Sequence, residues 1–145
     1  MTKEIISEST ILLNATATGR DEAIRTAGQL LVEGGYVTEK YIELMLQREE
    51  LVSTYMGNNL AIPHGTNDAE SEIITSGISV VQLPDGVDFG DGELAYLVIG
   101  IAGKDGSHLD ILGQIAIACM EPEVIEQLRT VKNKKSVIEK LGISL

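Results

Sequence analysis

The stretch that most constrains the fold is LAYLVIGIA, at positions 94–102, the most apolar strand candidate in the chain. Near-continuous apolar character over a short run is typical of a strand that is buried on both faces. Such a strand has to lie inside a sheet, with other elements covering it above and below. We therefore expect this strand to be central, between two layers that the rest of the chain supplies.

Three other stretches are predicted to be strands because aliphatic and β-branched residues dominate them, namely 10–14, 60–62 and 73–83. Pro84-Asp85-Gly86 predicts a turn at the end of the third. The polar segment TNDAESE, at 66–72, indicates a loop or a short helical turn.

Five helices are predicted from apolar spacing and end signals. Thr18 with Asp21, and Ser107 with Asp110, match capping boxes at the proposed starts of the first and third helices. Thr38 is predicted to cap the second, and the last two lie at EPEVIEQLRT and KSVIEKL. The predicted inward positions are Ile24, Ala27 and Leu31 in the first helix and Ile42, Met45 and Leu46 in the second. In the third they are Leu109, Leu112, Ile115 or Ala116, and Cys119.

This alternation of strands and helices predicts an α/β fold, with a mixed β-sheet flanked by helices. A chain of 145 residues suits a single domain, so we expect one domain over residues 1–145. The order of the strands does not follow from these patterns.

Charge and composition narrow the partners and the compartment. A net charge of −11 would repel nucleic acid and favour a basic protein partner. With one cysteine, Cys119, no internal disulfide can form, which fits a reducing compartment. There is neither a spanning apolar run nor an apolar signal core, so we expect a cytoplasmic protein without membrane insertion.

The segment NNLAIPHGT, at 58–66, presents His64 on a constrained loop. Pro63 fixes its own φ and holds Ile62 extended, while Gly65 allows a sharp turn or a close approach by another group. A lone histidine at a strand end is more commonly structural. A functional interpretation therefore depends on other polar groups converging on it.

Two such groups are candidates. His108 lies at the predicted start of a helix, where free N–H groups and the helix dipole favour an anion. Arg48 lies in the last turn of the second helix, where it suits either the helix dipole or a ligand anion. His108 also has an ordinary interpretation as a surface residue, so both alternatives stay open.

Together these three residues favour phosphate chemistry. Neutral imidazole is a good nucleophile, and phosphoryl transfer mainly needs positioning and positive charge around the phosphoryl oxygens. Two separated histidines and one buried cysteine do not supply a zinc site, and neither a GxSxG elbow nor a P-loop is present. We predict no metal and no cofactor. A pair of catalytic carboxylates stays open in so acidic a chain, although no pair stands out.

The motif formed by Glu49, Met56-Gly57 and Leu60-Ala61-Ile62-Pro63-His64-Gly65 resembles the active-site signature of one family. That family is the enzyme IIA component of the bacterial phosphoenolpyruvate-dependent sugar phosphotransferase system, of the mannitol/fructose type. The resemblance extends over nearly the whole chain, through LMLQREELVSTYMG, GVDFG and LVIGIAG, and is strongest for the mannitol branch.

The resemblance implies a phosphocarrier of mixed α/β fold. The Nε2 atom of His64 would accept a phosphoryl group from phospho-HPr. It would then pass the group to a cysteine of enzyme IIB, the partner in a mannitol-type permease. Arg48 and His108 would line the site and contact the phosphoryl oxygens. The chain would be a free-standing IIA protein. A regulatory IIA of the nitrogen or fructose type, whose phosphorylation controls partner binding, is the alternative.

Overall fold

The computed structural model describes residues 4–143. Within that range, five strands form one sheet in the spatial order β1-β4-β5-β3-β2. The strands are β1 Ile11–Leu12, β2 Tyr55–Gly57, β3 Leu60–Ala61, β4 Gly77–Asp88 and β5 Leu94–Ala102. The described helices are α1 Arg20–Glu33, α2 Lys40–Leu51, α3 His108–Ala118, α4 Pro122–Thr130 and α5 Lys134–Leu141, with short 3₁₀ helices at Glu8–Thr10 and Ala69–Glu72.

The sheet is mixed, as predicted. β4 and β5 form its long antiparallel centre, while β1 pairs in parallel with β4 and β3 in parallel with β5. The short edge strand β2 runs antiparallel to β3. The prediction that LAYLVIGIA is central is confirmed.

Both faces of β5 are buried because its side chains enter two separate apolar clusters. Leu97, Ile99 and Ile101 point into one cluster, and Val98 and Ala102 into the other. The first cluster is completed by α3, α4 and α5, and the second by α1 and α2. The result is a three-layer α/β fold in which the sheet carries a helical layer on each side.

Several predicted boundaries are wrong. The strand predicted at 10–14 is only two residues long, since a 3₁₀ helix precedes it. The strand predicted at 73–83 begins later, at Gly77, and passes through the expected turn at Pro84. The register of β4 against β5 shifts between Gln82 and Val87, so the missing N–H of Pro84 falls where regular pairing is interrupted.

Both predicted threonine caps are also wrong. Gly19 occupies the N-cap position of α1, and the Thr18 hydroxyl donates instead to the Glu22 carboxylate at 2.9 Å. α2 begins after Glu39, and the Thr38 hydroxyl donates to Glu72 at 2.5 Å.

Among the described residues, no helix combines the length and apolar character needed to cross a membrane.

Candidate active site

His64 is held at the carboxyl end of the central strand. It follows β3 and forms a parallel β-bridge with Ile101 near the end of β5. The Ile101 amide donates to the Pro63 carbonyl at 2.9 Å, so the parallel pairing continues past the proline. His64 is 9 % exposed, so most of its side chain is enclosed by the protein.

A hydrogen bond fixes the orientation of the His64 ring. Its Nδ1 lies 2.8 Å from the carbonyl oxygen of Ile62. Because a carbonyl oxygen can only accept, Nδ1 carries the proton and donates it. In the neutral ring the lone pair is then on Nε2, which becomes the atom available for nucleophilic attack.

Tyr41 fastens the loop that carries His64. Its hydroxyl accepts a hydrogen bond from the Gly65 amide at 2.9 Å and donates one to the Ile101 carbonyl at 2.7 Å. Burial raises the pKa of Tyr41 to about 12, so the hydroxyl keeps its proton. Gly65 is required by this close packing, since a Cβ there would lie 2.6 Å from Cε1 of Tyr41. The group that approaches Gly65 closely is therefore the Tyr41 ring of the same chain.

His108 is the first residue of α3, and its ring lies beside that of His64. The two ring centroids are 4.7 Å apart, at an interplanar angle of 55°. Gly103 packs directly against the helix start, where a Cβ would lie 2.4 Å from Cα of His108. The loop before α3 thus places the second imidazole against the first.

The details predicted for α3 need correction. Ser107 is its N-cap residue, but its hydroxyl bonds to the Ser76 hydroxyl at 2.7 Å and the Lys104 carbonyl at 2.8 Å, with no capping bond. Leu109 was predicted to face inward and is 77 % exposed instead. The buried positions are Ile111, Ile115 and Cys119.

Arg48 lies in the last turn of α2, as predicted, and its Nη1 donates to the Val52 carbonyl at 2.7 Å. Its guanidinium also acts electrostatically on both histidines. Burial lowers the pKa of His64, and the charges of His108 and Arg48 lower it further, against the Ile62 hydrogen bond and the charge of Glu49. Burial and then Arg48 lower the pKa of His108. Both imidazoles are therefore neutral near pH 7.

Large apolar side chains are exposed on the elements that carry Arg48 and His108, or directly after them. Leu51 and Val52, which follow Arg48, are 72 % and 67 % exposed. Leu109 and Ile117 are exposed on α3, and the exposed Met120 follows the end of that helix. We call these five residues the apolar rim. Large exposed apolar side chains around a polar centre are typical of a surface that another protein covers.

In the described part of the chain, no group of three His, Cys, Asp or Glu side chains could hold a metal ion. Burial raises the pKa of the Cys119 thiol to about 11, which makes it an unreactive apolar residue, as predicted.

The comparison with known families is decisive. Residues 4–142 match the family model described as phosphoenolpyruvate-dependent sugar phosphotransferase system, EIIA 2. The chain belongs to this family.

Individual relatives cover this enzyme IIA almost from end to end. It is 51 % identical to the mannitol-specific phosphotransferase enzyme IIA component of Bacillus subtilis, over 93 % of this chain and 94 % of the relative. It is 50 % identical to the component of the same name from Geobacillus stearothermophilus, over 98 % of each chain. A solved complex of enzyme IIA mannitol with phosphorylated enzyme IIB mannitol from Escherichia coli matches with a TM-score of 0.89 and 38 % identity, over 94 % of this chain and 96 % of that one.

Two residues of this enzyme IIA were missed as parts of the site. The sequence patterns indicate no role for Tyr41 and place Glu49 only in the motif, yet both side chains are buried on the inner face of α2. They lie eight residues apart, and the buried Met45 lies four residues from each. A tyrosine and a glutamate at inward positions of a helix are the signal that could have identified them.

Proposed function

We propose that this enzyme IIA, a single domain over residues 1–145, is a phosphocarrier of a mannitol-type phosphotransferase system. His64 accepts a phosphoryl group from phospho-HPr and passes it to the cysteine of enzyme IIB, in the cytoplasm. Relatives named mannitol-specific enzyme IIA at 50–51 % identity support the mannitol branch. The complex of the Escherichia coli protein with phosphorylated enzyme IIB, at 38 % identity, supports the acceptor.

The observation that carries the proposal is the 2.8 Å hydrogen bond between Nδ1 of His64 and the Ile62 carbonyl. It commits the proton to Nδ1 and leaves Nε2 with a free lone pair. A neutral imidazole of this kind needs no general base before it attacks phosphorus. The lowered pKa of His64 keeps the ring in that form near pH 7.

The phosphoryl group is transferred in two displacement steps at phosphorus. The Nε2 lone pair of His64 forms the new N–P bond, while the N–P bond of the donor's phosphohistidine breaks and its electron pair returns to the donor's ring. In the second step the thiolate of enzyme IIB attacks phosphorus, and the Nε2–P bond breaks. Nδ1 of His64 keeps its proton throughout, so the ring returns to its starting state.

His108 and Arg48 are proposed to stabilise the charge on the phosphoryl oxygens. The His108 ring, 4.7 Å from that of His64, is near enough to donate a hydrogen bond to a group on Nε2. The Arg48 guanidinium would leave or share its bond to the Val52 carbonyl and add a full positive charge. Preorganised donors and cations of this kind are the main protein contribution to phosphoryl transfer.

The surface around His64 suits two successive protein partners. The apolar rim provides area that a partner can bury, and the net charge of −11 attracts a partner with basic groups around its own reactive residue.

Labelling tests the assignment. With phosphoenolpyruvate, enzyme I and HPr, one histidine of the wild-type chain should be labelled, and His64→Ala should abolish the label. His108→Ala should still be labelled at His64 but transfer to enzyme IIB more slowly in rapid-quench experiments. Equal labelling of His64→Ala and the wild type would disprove the role of His64. Transfer rates to purified mannitol-type and fructose-type IIB domains would assign the sugar branch.

A further inference from the structure

Glu49 is a buried carboxylate that the transfer steps above do not use. It is 3 % exposed at the end of α2, and in the described chain it forms no salt bridge. Its oxygens instead accept hydrogen bonds from a single residue, Thr54. The Thr54 amide lies 3.0 and 3.2 Å from the two carboxylate oxygens, and the Thr54 hydroxyl lies 2.5 Å from Oε1.

Thr54 connects this carboxylate to the reactive histidine. Its carbonyl accepts a hydrogen bond from the Ile62 amide at 3.0 Å. The Ile62 carbonyl in turn accepts the Nδ1 proton of His64 at 2.8 Å. A continuous path of hydrogen bonds therefore runs from Glu49 through Thr54 and Ile62 to the imidazole.

We propose that Glu49 is a positioning residue that sets the tautomer and orientation of His64 through Thr54 and Ile62. The proposal rests on the phosphocarrier function of His64. Burying a carboxylate costs free energy unless hydrogen bonds compensate, so its presence here needs a role that an apolar residue could not fill. A carboxylate can accept from both donors of Thr54 at once, which fixes the segment that holds Ile62.

Glu49 also adds a negative charge beside the site. The charged or titratable groups acting on His64 are Arg48 and Glu49 from α2 and His108 from α3, with the Tyr41 hydroxyl packed on Gly65. Glu49 opposes the effect of Arg48 and His108 and so raises the pKa of His64 relative to a site without it. Greater basicity makes Nε2 a stronger nucleophile toward phosphorus.

Four variants separate the two contributions of Glu49. Glu49→Ala removes the hydrogen bonds and the charge. Glu49→Gln keeps one acceptor oxygen but removes the charge and turns an NH₂ group toward the Thr54 amide. Thr54→Val removes only the hydroxyl donor, and Thr54→Ser restores it. Glu50→Gln is the matched control, because Glu50 is the next residue of the same helix and is exposed.

The first measurement is the tautomer and titration of His64 by ¹⁵N NMR, which requires no phosphoryl donor. We expect the wild type, Glu50→Gln and Thr54→Ser to hold the Nδ1–H tautomer alone. Glu49→Ala should show a mixture of tautomers, and Glu49→Gln should lower the pKa of His64 further. Thr54→Val should lie between the wild type and Glu49→Ala.

The second measurement is the rate of labelling by phospho-HPr. Loss of the outer hydrogen-bond partner of a metal-bound histidine costs about 10- to 100-fold, and we expect Glu49→Ala to lose a similar factor in labelling rate. If folded Glu49→Ala and Glu49→Gln keep the wild-type tautomer and label within twofold of the wild-type rate, the proposal is wrong. If Glu49→Ala does not fold, a wild-type tautomer and rate in both Glu49→Gln and Thr54→Val overturn it. Failure of the phosphocarrier function would differ, since the wild type itself would then not be labelled.

Discussion

Replacing Tyr41 by phenylalanine removes one oxygen atom and two hydrogen bonds, one of them fully buried. The hydroxyl links the Gly65 amide, 2.9 Å away, to the Ile101 carbonyl, 2.7 Å away, and Tyr41 is 2 % exposed. In Tyr41→Phe the Ile101 carbonyl loses this partner inside the core, while the half-buried Gly65 amide can be reached by water. An unpaired buried polar group costs about 1–3 kcal/mol, so we expect a loss of about 1–3 kcal/mol in the free energy of unfolding.

The measurement is urea denaturation at 25 °C, followed by far-UV circular dichroism because the chain contains no tryptophan. Since the pKa of Tyr41 is raised to about 12, the wild-type hydroxyl stays protonated at neutral pH and the comparison is simple. The labelling rate of His64 should fall as well, because Ile101 is its β-bridge partner.

Tyr55→Phe is the matched control. The Tyr55 hydroxyl also accepts from a backbone amide, that of Asn59 at 3.1 Å, and donates to a backbone carbonyl, that of Leu94 at 3.2 Å. Its environment is more exposed, so water replaces the lost partners and the expected cost is about 0.5–1 kcal/mol. A loss for Tyr41→Phe no greater than that for Tyr55→Phe would refute the reasoning.

Two further predictions concern packing and pH. Gly65→Ala places a Cβ 2.6 Å from Cε1 of Tyr41 and should cost about 1–3 kcal/mol, whereas Gly113→Ala, with nothing within 4 Å, should stabilise α3 by up to about 1 kcal/mol in the same urea assay. Because burial, His108 and Arg48 lower the pKa of His64, protonation should remove its lone pair only below the ordinary value of about 6.5. The labelling rate should therefore be flat from pH 8 to 7 and fall in more acidic buffer, and a steep fall between pH 8 and 7 would contradict the pKa direction.

The central strand could be predicted because the property that identifies it is local. The apolar residues of β5 alternate between two buried clusters, and burial on both faces follows from the sequence of the strand itself. The layer arrangement then follows from the need to cover both faces. The order of the strands depends on long-range pairing, such as Leu60 with Leu97, which leaves no trace in either segment.

The errors lie where a side chain has a choice of partners. Thr18, Thr38 and Ser107 all match cap signals, yet each hydroxyl bonds to another side chain. Thr18 bonds to Glu22 one helical turn away, whereas Thr38 and Ser107 bond to Glu72 and Ser76, which only the folded structure brings near. Leu109 fits a helical stripe on spacing alone, but the packing surface lies on the side of Ile111 and Ile115.

The candidate site could be predicted as a set of residues, and the structure brings His64 and His108 together. Arg48 acts on both histidines electrostatically. The functions of Tyr41 and Glu49 could not be predicted in the same way. Each acts through backbone groups of Gly65, Ile101 or Thr54, and backbone contacts depend on geometry rather than on residue type.

The pairing of His64 with Ile101 makes the order of synthesis important. A growing polypeptide that has just produced the histidine has no β5 to hold it and no second imidazole beside it. Both come from residues made well after it, so loop closure over some forty residues has to precede any reactivity. A nascent or truncated chain that ends before α3 should therefore be inert toward the phosphoryl donor. Labelling should then report completed folding, and unfinished chains should not consume phosphoryl groups from phospho-HPr.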